Sequence, residues 1–289
     1  MKFWKQKYYS LFVVLVLIMI NIFIYFSFAF SSEKIGRAYF LDVGQGDATL
    51  FKTPSGLLFL IDTGPDRTAV IKALSQVLPI GIRKIEAVLI THFDSDHIGG
   101  LPSLLNNFEV GYIFLASSSA DKETAITREV RKIAQDKNIQ VISPRAGQLL
   151  DFGGVAFQIL SPGNDLKNIK DNESSVVGRL VENGKSFLLT GDAPQDIEQY
   201  LVKMYGPNLK TDVLKVGHHG SKTSSAVDFL ANVKPDYSIV SAGLNNRYGH
   251  PHQEVLDLLG KVGTKLEETF KQGTIIFDLN IDDLVLEGK

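Results

Sequence analysis

The chain has 289 residues, 44% hydrophobic and 21% charged, enough apolar material for a large core in one or two domains. Its formal charge of −2 gives no general attraction to nucleic acid, so any phosphate contact must come from a local group of Lys and Arg. The absence of cysteine excludes a disulfide framework and any thiolate metal ligand.

In chain order, Lys2, Lys5 and Lys7 precede residues 11–30, which carry no formal charge. That run matches the roughly 20 residues a helix needs to cross a ~30 Å hydrocarbon layer and exceeds the ~7–15 residues of a signal-peptide apolar region. Ala29 and Ser31 offer only a weak cleavage site. Residues 1–35 are therefore expected to form an uncleaved N-terminal membrane helix, with a single-pass location in the cell membrane. The basic residues place the N-terminus inside and the remaining chain outside, or secreted if the segment is cleaved. No linker or repeat interrupts residues 36–289, which read as one domain.

Residues 37–43, 48–52 and 57–61 read as strands, with Pro54-Ser-Gly56 as a hairpin turn. A helix is predicted over 67–77 and a buried strand over 85–90. The strand opens into Thr91-His-Phe-Asp-Ser-Asp-His97, where His92, Asp94, Asp96 and His97 follow one strand end. Imidazole and carboxylate groups gathered in this way suit borderline and hard divalent cations. Gly99-Gly100 allows a tight turn, and the helix from Leu101 has Pro102 in its first turn. A strand at 112–115 follows. A helix over 121–136 has Ala125, Ile126, Val130, Ile133 and Ala134 at helical spacing, and a strand at 140–142 comes next. The second half repeats this style, with strands at 155–160, 176–181 and 186–189, a helix over 193–204 and a strand at 213–216. All six histidines fall in three clusters, the first motif, Val216-Gly-His-His-Gly-Ser221 and Tyr248-Gly-His-Pro-His252, which read together as one metal-centred site.

His92-Phe-Asp-Ser-Asp-His97 resembles the metallo-β-lactamase superfamily signature His-x-His-x-Asp-His, with Asp94 in place of the second histidine. Phe40-Leu-Asp-Val-Gly-Gln-Gly-Asp-Ala48, Ile61-Asp-Thr-Gly64, Leu189-Thr-Gly-Asp192, Lys215-Val-Gly-His-His-Gly-Ser221 and Tyr248-Gly-His-Pro-His252 are similar to the β-lactamase-like domain of ComEC-type competence proteins. The resemblance runs in order from about residue 36 to about 286. It implies an α/β fold, the four-layer αββα sandwich, with the site at one edge of two facing sheets. It also implies two divalent ions, Zn or Mn with Mg as a further option. His92 and Asp94 would belong to the first site, Asp96 and His97 to the second. Asp192 matches the bridging carboxylate and His218 the last ligand of the second site. No histidine lies between His97 and His218, so the first site lacks its usual third imidazole and tilts toward oxygen. The segment Asp171-Asn-Glu-Ser-Ser175 either supplies such an oxygen or caps the next strand.

The resemblance implies phosphodiester hydrolysis by a water that the metals activate, with DNA as substrate and DNA-uptake machinery as a conceivable partner. His219, Lys222 and His250 would act on phosphoryl oxygens or the leaving group, with His250 the strongest candidate and Asp96 shared between metal and chemistry. His252 also reads as a helix-cap residue. Lys215, Lys222 and Arg247 are the candidate local cations. Asp62 is expected to orient a ligand imidazole, and Asp47 either does the same or shapes a turn. Two alternatives stand beside the nuclease: hydrolysis of a small or cell-wall substrate such as a phosphoester or lactone, and an inactive binding protein with this fold.

Overall fold

The computed structural model of the protein describes residues 2–31, 35–116, 124–163, 172–279 and 284–287. The chain divides into two compact units, 1–34 and 35–289.

The first unit is one helix, α1 (Lys2–Ser31). The expected membrane crossing is overturned here: among the described residues no helix is long and apolar enough to cross a membrane.

The second unit opens with β1 (Gly36–Phe40), β2 (Thr49–Lys52) and β3 (Leu58–Ile61), followed by α2 (Ala69–Val77) and β4 (Lys84–Ile90). Next come α3 (Ser95–Ile98), α4 (Leu101–Asn107), β5 (Glu109–Leu115), α5 (Ala125–Asp136) and β6 (Gln140–Ile142). The second half starts with β7 (Leu149–Asp151), β8 (Ala156–Ser161), β9 (Val177–Glu182) and β10 (Lys185–Leu189). It continues through α6 (Gln195–Tyr205), β11 (Val213–Lys215), α7 (Val227–Val233), β12 (Tyr237–Val240), α8 (Gln253–Val262) and β13 (Lys265–Glu268). The short helix α9 (Thr269–Gln272) leads into β14 (Ile275–Leu279) and β15 (Leu284–Leu286). Residues 121–123 of the expected 121–136 helix lie outside the described residues. Thr124 caps α5 by accepting the Thr127 N–H at 3.1 Å.

Eight strands form one sheet in the order β15-β14-β1-β2-β3-β4-β5-β6, and seven form the other in the order β13-β12-β11-β10-β9-β8-β7. Each half of the chain runs antiparallel first and parallel later: β1 to β3 are antiparallel and β3 to β6 parallel, while β7 to β10 are antiparallel and β10 to β13 parallel.

Strand alternation sorts the side chains into three apolar layers. Tyr39, Leu60 and Val88 face Leu74 of α2, Leu104 of α4 and Val130 of α5. Their strand neighbours Phe40, Phe59 and Leu89 turn the other way and meet Phe157, Phe187 and Ile239 of the second sheet. Phe51 and Phe187 close this central layer edge to face, with centroids 5.5 Å apart. Leu188, Leu214 and Val240 point outward to Leu201 of α6, Phe229 of α7 and Leu259 of α8. The order is helices, sheet, sheet, helices. Parallel strands gather their carboxyl ends on one side, where open α/β sheets offer sites to ligands.

Candidate metal centre

Most of the candidate site residues lie in or just after loops at such strand ends. Asp62 follows β3, His92 follows β4, Asp192 follows β10, and His218 and His219 follow β11. Asp94 precedes α3 as its N-cap residue, and the single turn of that helix carries Asp96 and His97. The β1–β2 loop brings Asp47 to the same place, its N–H donating to the Asp96 carbonyl at 3.2 Å. Gly46 makes this approach possible, since a Cβ there would stand 2.2 Å from the Asp96 carbonyl oxygen.

Four imidazoles converge on one carboxylate. The Nε2 atoms of His92, His218 and His219 lie 3.7, 3.7 and 3.6 Å from Asp192 Oδ2, and that of His97 lies 3.2 Å from Oδ1. Each ring is held from behind through its other nitrogen. His97 Nδ1 donates to Asp62 Oδ2 at 2.7 Å and His219 Nδ1 to the Ser241 carbonyl at 2.9 Å. His218 Nδ1 pairs with Thr223 Oγ1 at 2.9 Å and His92 Nδ1 with Thr91 Oγ1 at 3.1 Å. Thr91 in turn donates to Asp62 through its hydroxyl at 2.7 Å and its N–H at 2.8 Å. Occupying Nδ1 fixes the tautomer that leaves the Nε2 lone pair free.

The fit to metal is visible in what remains unpaired. Nε2 of His92, His97 and His219, together with Asp47 Oδ1 and Asp192 Oδ1, are buried without a hydrogen-bond partner. Unpaired buried acceptors are costly, and cations are what this donor set suits. Among the described residues, two groups of side chains have ligating atoms within 4.8 Å of one another, Asp47-His97-Asp192-His219 and His92-Asp94-Asp192. Both contain Asp192. The second holds one imidazole and two carboxylates, with the Asp94 side chain 47% exposed at the solvent edge.

The electrostatics record strong mutual attraction. Burial alone would lower His97 and His219, but Asp192 with Asp62 holds His97 well above the ordinary value, and Asp192 with Asp47 raises His219 to about 9. Burial would raise Asp192, yet the surrounding imidazoles hold it well below the usual carboxylate range. Asp47 is lowered against its own burial by Lys215 and His219. His250 is different. Burial, and then His218, His219 and His252, push it down to about 4, so its ring is neutral at pH 7.

The remaining expected residues occupy varied positions. Asp96 Oδ2 lies 3.3 Å from His219 Nε2. The His250 ring centroid is 5.5 Å from that of His218, and its Nδ1 is a further buried unpaired atom. Lys222 is exposed at the rim. His252 precedes α8 as N-cap residue and accepts the Lys222 N–H at 3.2 Å, which is the cap-region role. Asp42 accepts the Gly44 N–H at 3.1 Å and shapes the turn. Asp171 lies outside the described residues, and Asn172–Ser174 forms a short 3-10 turn.

Lys215 is not a surface cation. It is 2% exposed, with Nζ 2.7 Å from Asp47 Oδ2. The reason is strand alternation: Leu214 points to the helices, so Lys215 faces inward at the strand end and needs a carboxylate there. Sequence reasoning left Asp47 open, and the lysine directly before the histidine block was the signal that could have paired them. The distinct settings of His218 and His219 were also illegible. Both occupy left-handed backbone, at φ 49° and 55°, which turns one ring to Thr223 and buries the other beside Asp47.

The family model of the metallo-beta-lactamase superfamily matches residues 41–243. Among curated proteins, the chain is 33% identical over 256 residues to ComE operon protein 3 of Bacillus subtilis, covering 83% of this chain and 32% of that protein. It is 34% identical over 238 residues to competence protein ComA of Neisseria gonorrhoeae, covering 82% and 31%. It is also 34% identical over 252 residues to recombination protein 2 of Haemophilus influenzae, covering 86% and 29%. The chain thus spans about a third of the length of these ComEC-type relatives. Among solved structures, the metallo-beta-lactamase fold protein YhfI of Bacillus subtilis aligns with TM-score 0.58 at 14% identity, over 84% of this chain and 99% of that one. The diiron β-hydroxylase CmlA of Streptomyces venezuelae aligns at TM-score 0.55 and 16% identity, over 81% and 52%. These two proteins share the fold alone with this chain, and fold does not choose a reaction.

Proposed function

The chain belongs to the metallo-beta-lactamase superfamily, and from that premise we propose that it is a metal-dependent phosphodiester hydrolase whose substrate is DNA. The observation that carries this reading is the convergence of four Nε2 atoms on Asp192, with their other nitrogens already engaged. A fold kept only as a scaffold has no need to maintain five buried unpaired atoms at one point. The relatives named for competence and recombination support DNA over a small diester.

In this reading two ions would be held, one by Asp47, His97, Asp192 and His219, the other by His92, Asp94 and Asp192, with His218 beside the shared carboxylate. The oxygen-rich second set favours Mn or Mg over Zn there. Bound divalent ions supply activation of water near neutral pH and a clamp for phosphoryl oxygens.

The chain's own groups then have separate tasks. Asp62 and Thr91 keep the His97 ring aimed. Lys215 balances Asp47 so that the carboxylate remains ionised in the interior. Asp96, lowered against its burial by His219 and His97, stays ionised to accept a proton or a cation. His250, neutral at pH 7, still offers one N–H to a phosphoryl or leaving oxygen, and Lys222 offers a charge from the rim.

The test strips metal from the full chain, restores Mn2+, Zn2+ or Mg2+ in parallel, and assays single- and double-stranded DNA and bis(p-nitrophenyl) phosphate. Metal-dependent DNA cleavage that disappears in Asp192→Ala is the expected result. Cleavage of the small diester alone moves the substrate to a small phosphoester, and metal binding without hydrolysis of any diester sinks the phosphodiesterase reading.

A further inference from the structure

Beside the metal centre lies a cavity of about 340 Å3, within the roughly 300–1,000 Å3 range of small-ligand sites. Asp96 lines it, so the cavity is continuous with the acidic cluster. Gln45 and Pro65 come from the loops after β1 and β3, Ser95 from the start of α3, and Asn246, Arg247 and Tyr248 from the loop after β12. The loop is held in place. Gln45 Oε1 accepts the Gly243 N–H at 3.0 Å, and Asn246 Nδ2 donates to the Gly243 and His250 carbonyls at 2.9 and 2.5 Å.

Its side chains form a ladder of planar groups leading away from the metals. His250 lies against His218, and Tyr248 lies nearly parallel to His250, at 21° and 5.7 Å between centroids. The Arg247 guanidinium sits 4.8 Å from the Tyr248 ring centre and donates to its hydroxyl at 2.6 Å. Yet Tyr248 remains 47% exposed, and Leu244 on the same loop is 70% exposed. An aromatic face left half open beside an arginine costs little by itself and offers a planar, anionic ligand both a stacking surface and a charge.

Charge decides which ligand. Of the three candidate cations, Lys215 is consumed by Asp47, leaving Arg247 and Lys222 exposed. Two cations beside Asp94 and Asp96 do not make a groove that tracks a duplex backbone. Stacking works without such a groove and needs only the π-face that every unpaired base has.

We propose that the Arg247–Tyr248 lip is a stacking subsite for one unpaired nucleobase next to the scissile phosphodiester, so that the protein takes single-stranded nucleic acid or a frayed end in preference to a closed duplex. This rests on the nuclease reading for the identity of the neighbouring phosphate. Tyr248 receives the base, and Arg247 swings from the tyrosine hydroxyl to the flanking phosphate.

The test is equilibrium binding by fluorescence anisotropy, with the full chain in Ca2+ and strand integrity checked on gels. The probes are a labelled oligothymidylate, an equally long strand of abasic nucleotides, and an equally long duplex. The base-bearing strand is expected to bind about 5- to 100-fold more tightly than the abasic strand and the duplex. Tyr248→Ala should erase the base preference and Tyr248→Trp retain it, while Arg247→Ala weakens both single strands alike and flattens the salt dependence. Equal binding of base-bearing and abasic strands, a duplex that binds as well as the single strand, or a Tyr248→Ala protein with its preference intact each overturns the proposal. Failure of every strand to bind does so too. A base preference in a protein that cleaves no diester under any metal leaves the subsite standing and removes the nuclease reading, so the two failures are separable.

Discussion

The buried centre and the exposed lip are built on opposite principles. At the centre, each imidazole is held through its Nδ1 by a fixed partner: His97 is 0% exposed and tied to Asp62, and His219 is 1% exposed and tied to Ser241 and Asp47. At the lip, Arg247 and Tyr248 are paired chiefly with each other and face solvent. Burying a polar group is costly, so the protein fixes each ring at the centre from behind. An exposed aromatic side chain costs little, and its geometry is completed by what binds.

The sharpest way to break this contrast is Asp192→Ala. It removes the one carboxylate common to both groups and should abolish hydrolysis, with a loss above about a thousandfold, while thermal melting shows the fold retained. Full activity in that variant would show that the centre is not organised around Asp192.

Asp62→Ala comes next. It leaves His97 without its hydrogen-bond acceptor and should weaken metal affinity by about 10- to 100-fold, read by titration of metal-stripped protein. Unchanged affinity would mean that the ring needs no support from behind.

His250→Ala tests the border between the two regions. Turnover should fall about tenfold, at the low end for a group that assists proton movement, with metal content unchanged. A loss of metal instead would move His250 into the centre.

Metal loading should also depend on pH. His219 keeps its proton up to about 9 in the metal-free protein, and His97 is raised as well. Those protons must leave when metal binds, so apparent affinity should rise as pH rises toward 9 and fall steadily below it. Affinity that is flat from pH 6 to 9 would show that neither ring gives up a proton when metal binds.

The smallest effect concerns the loop after the histidines. Glu198 on α6 accepts the Ser225 and Ala226 N–H groups at 2.7 Å each, and burial lifts it to about 7 despite those bonds. Its folded value stands above its ordinary one, so it contributes stability that is full below about 4.5 and is lost as pH rises through 7. Glu198→Gln should flatten that slope in denaturant titrations, at a cost of about 1 kcal/mol. A slope identical to wild type would show that Glu198 does not titrate there.

Much of this was legible in advance. The run at 85–90 does end in a strand that delivers His92, Pro102 does lie in the first turn of α4, and the repeated style of the two halves is the repeated antiparallel-then-parallel course of the two sheets. The short helix α3 was missed because one turn is too short to show a period. The membrane anchor expected over 1–35 failed because an apolar run in the sequence marks only a candidate for a span, and among the described residues no helix is long and apolar enough to cross a membrane.

By itself, the order of residues determined which elements form, which side chains alternate into the core, and which imidazoles and carboxylates stand at strand ends. These depend on neighbours a few positions apart. Only the tertiary structure decided that Lys215 faces Asp47, that His218 and His219 face different partners, and that Tyr248 continues the line of rings from His250. Those outcomes join groups far apart in the chain, through backbone turns and strand registers that local patterns do not encode.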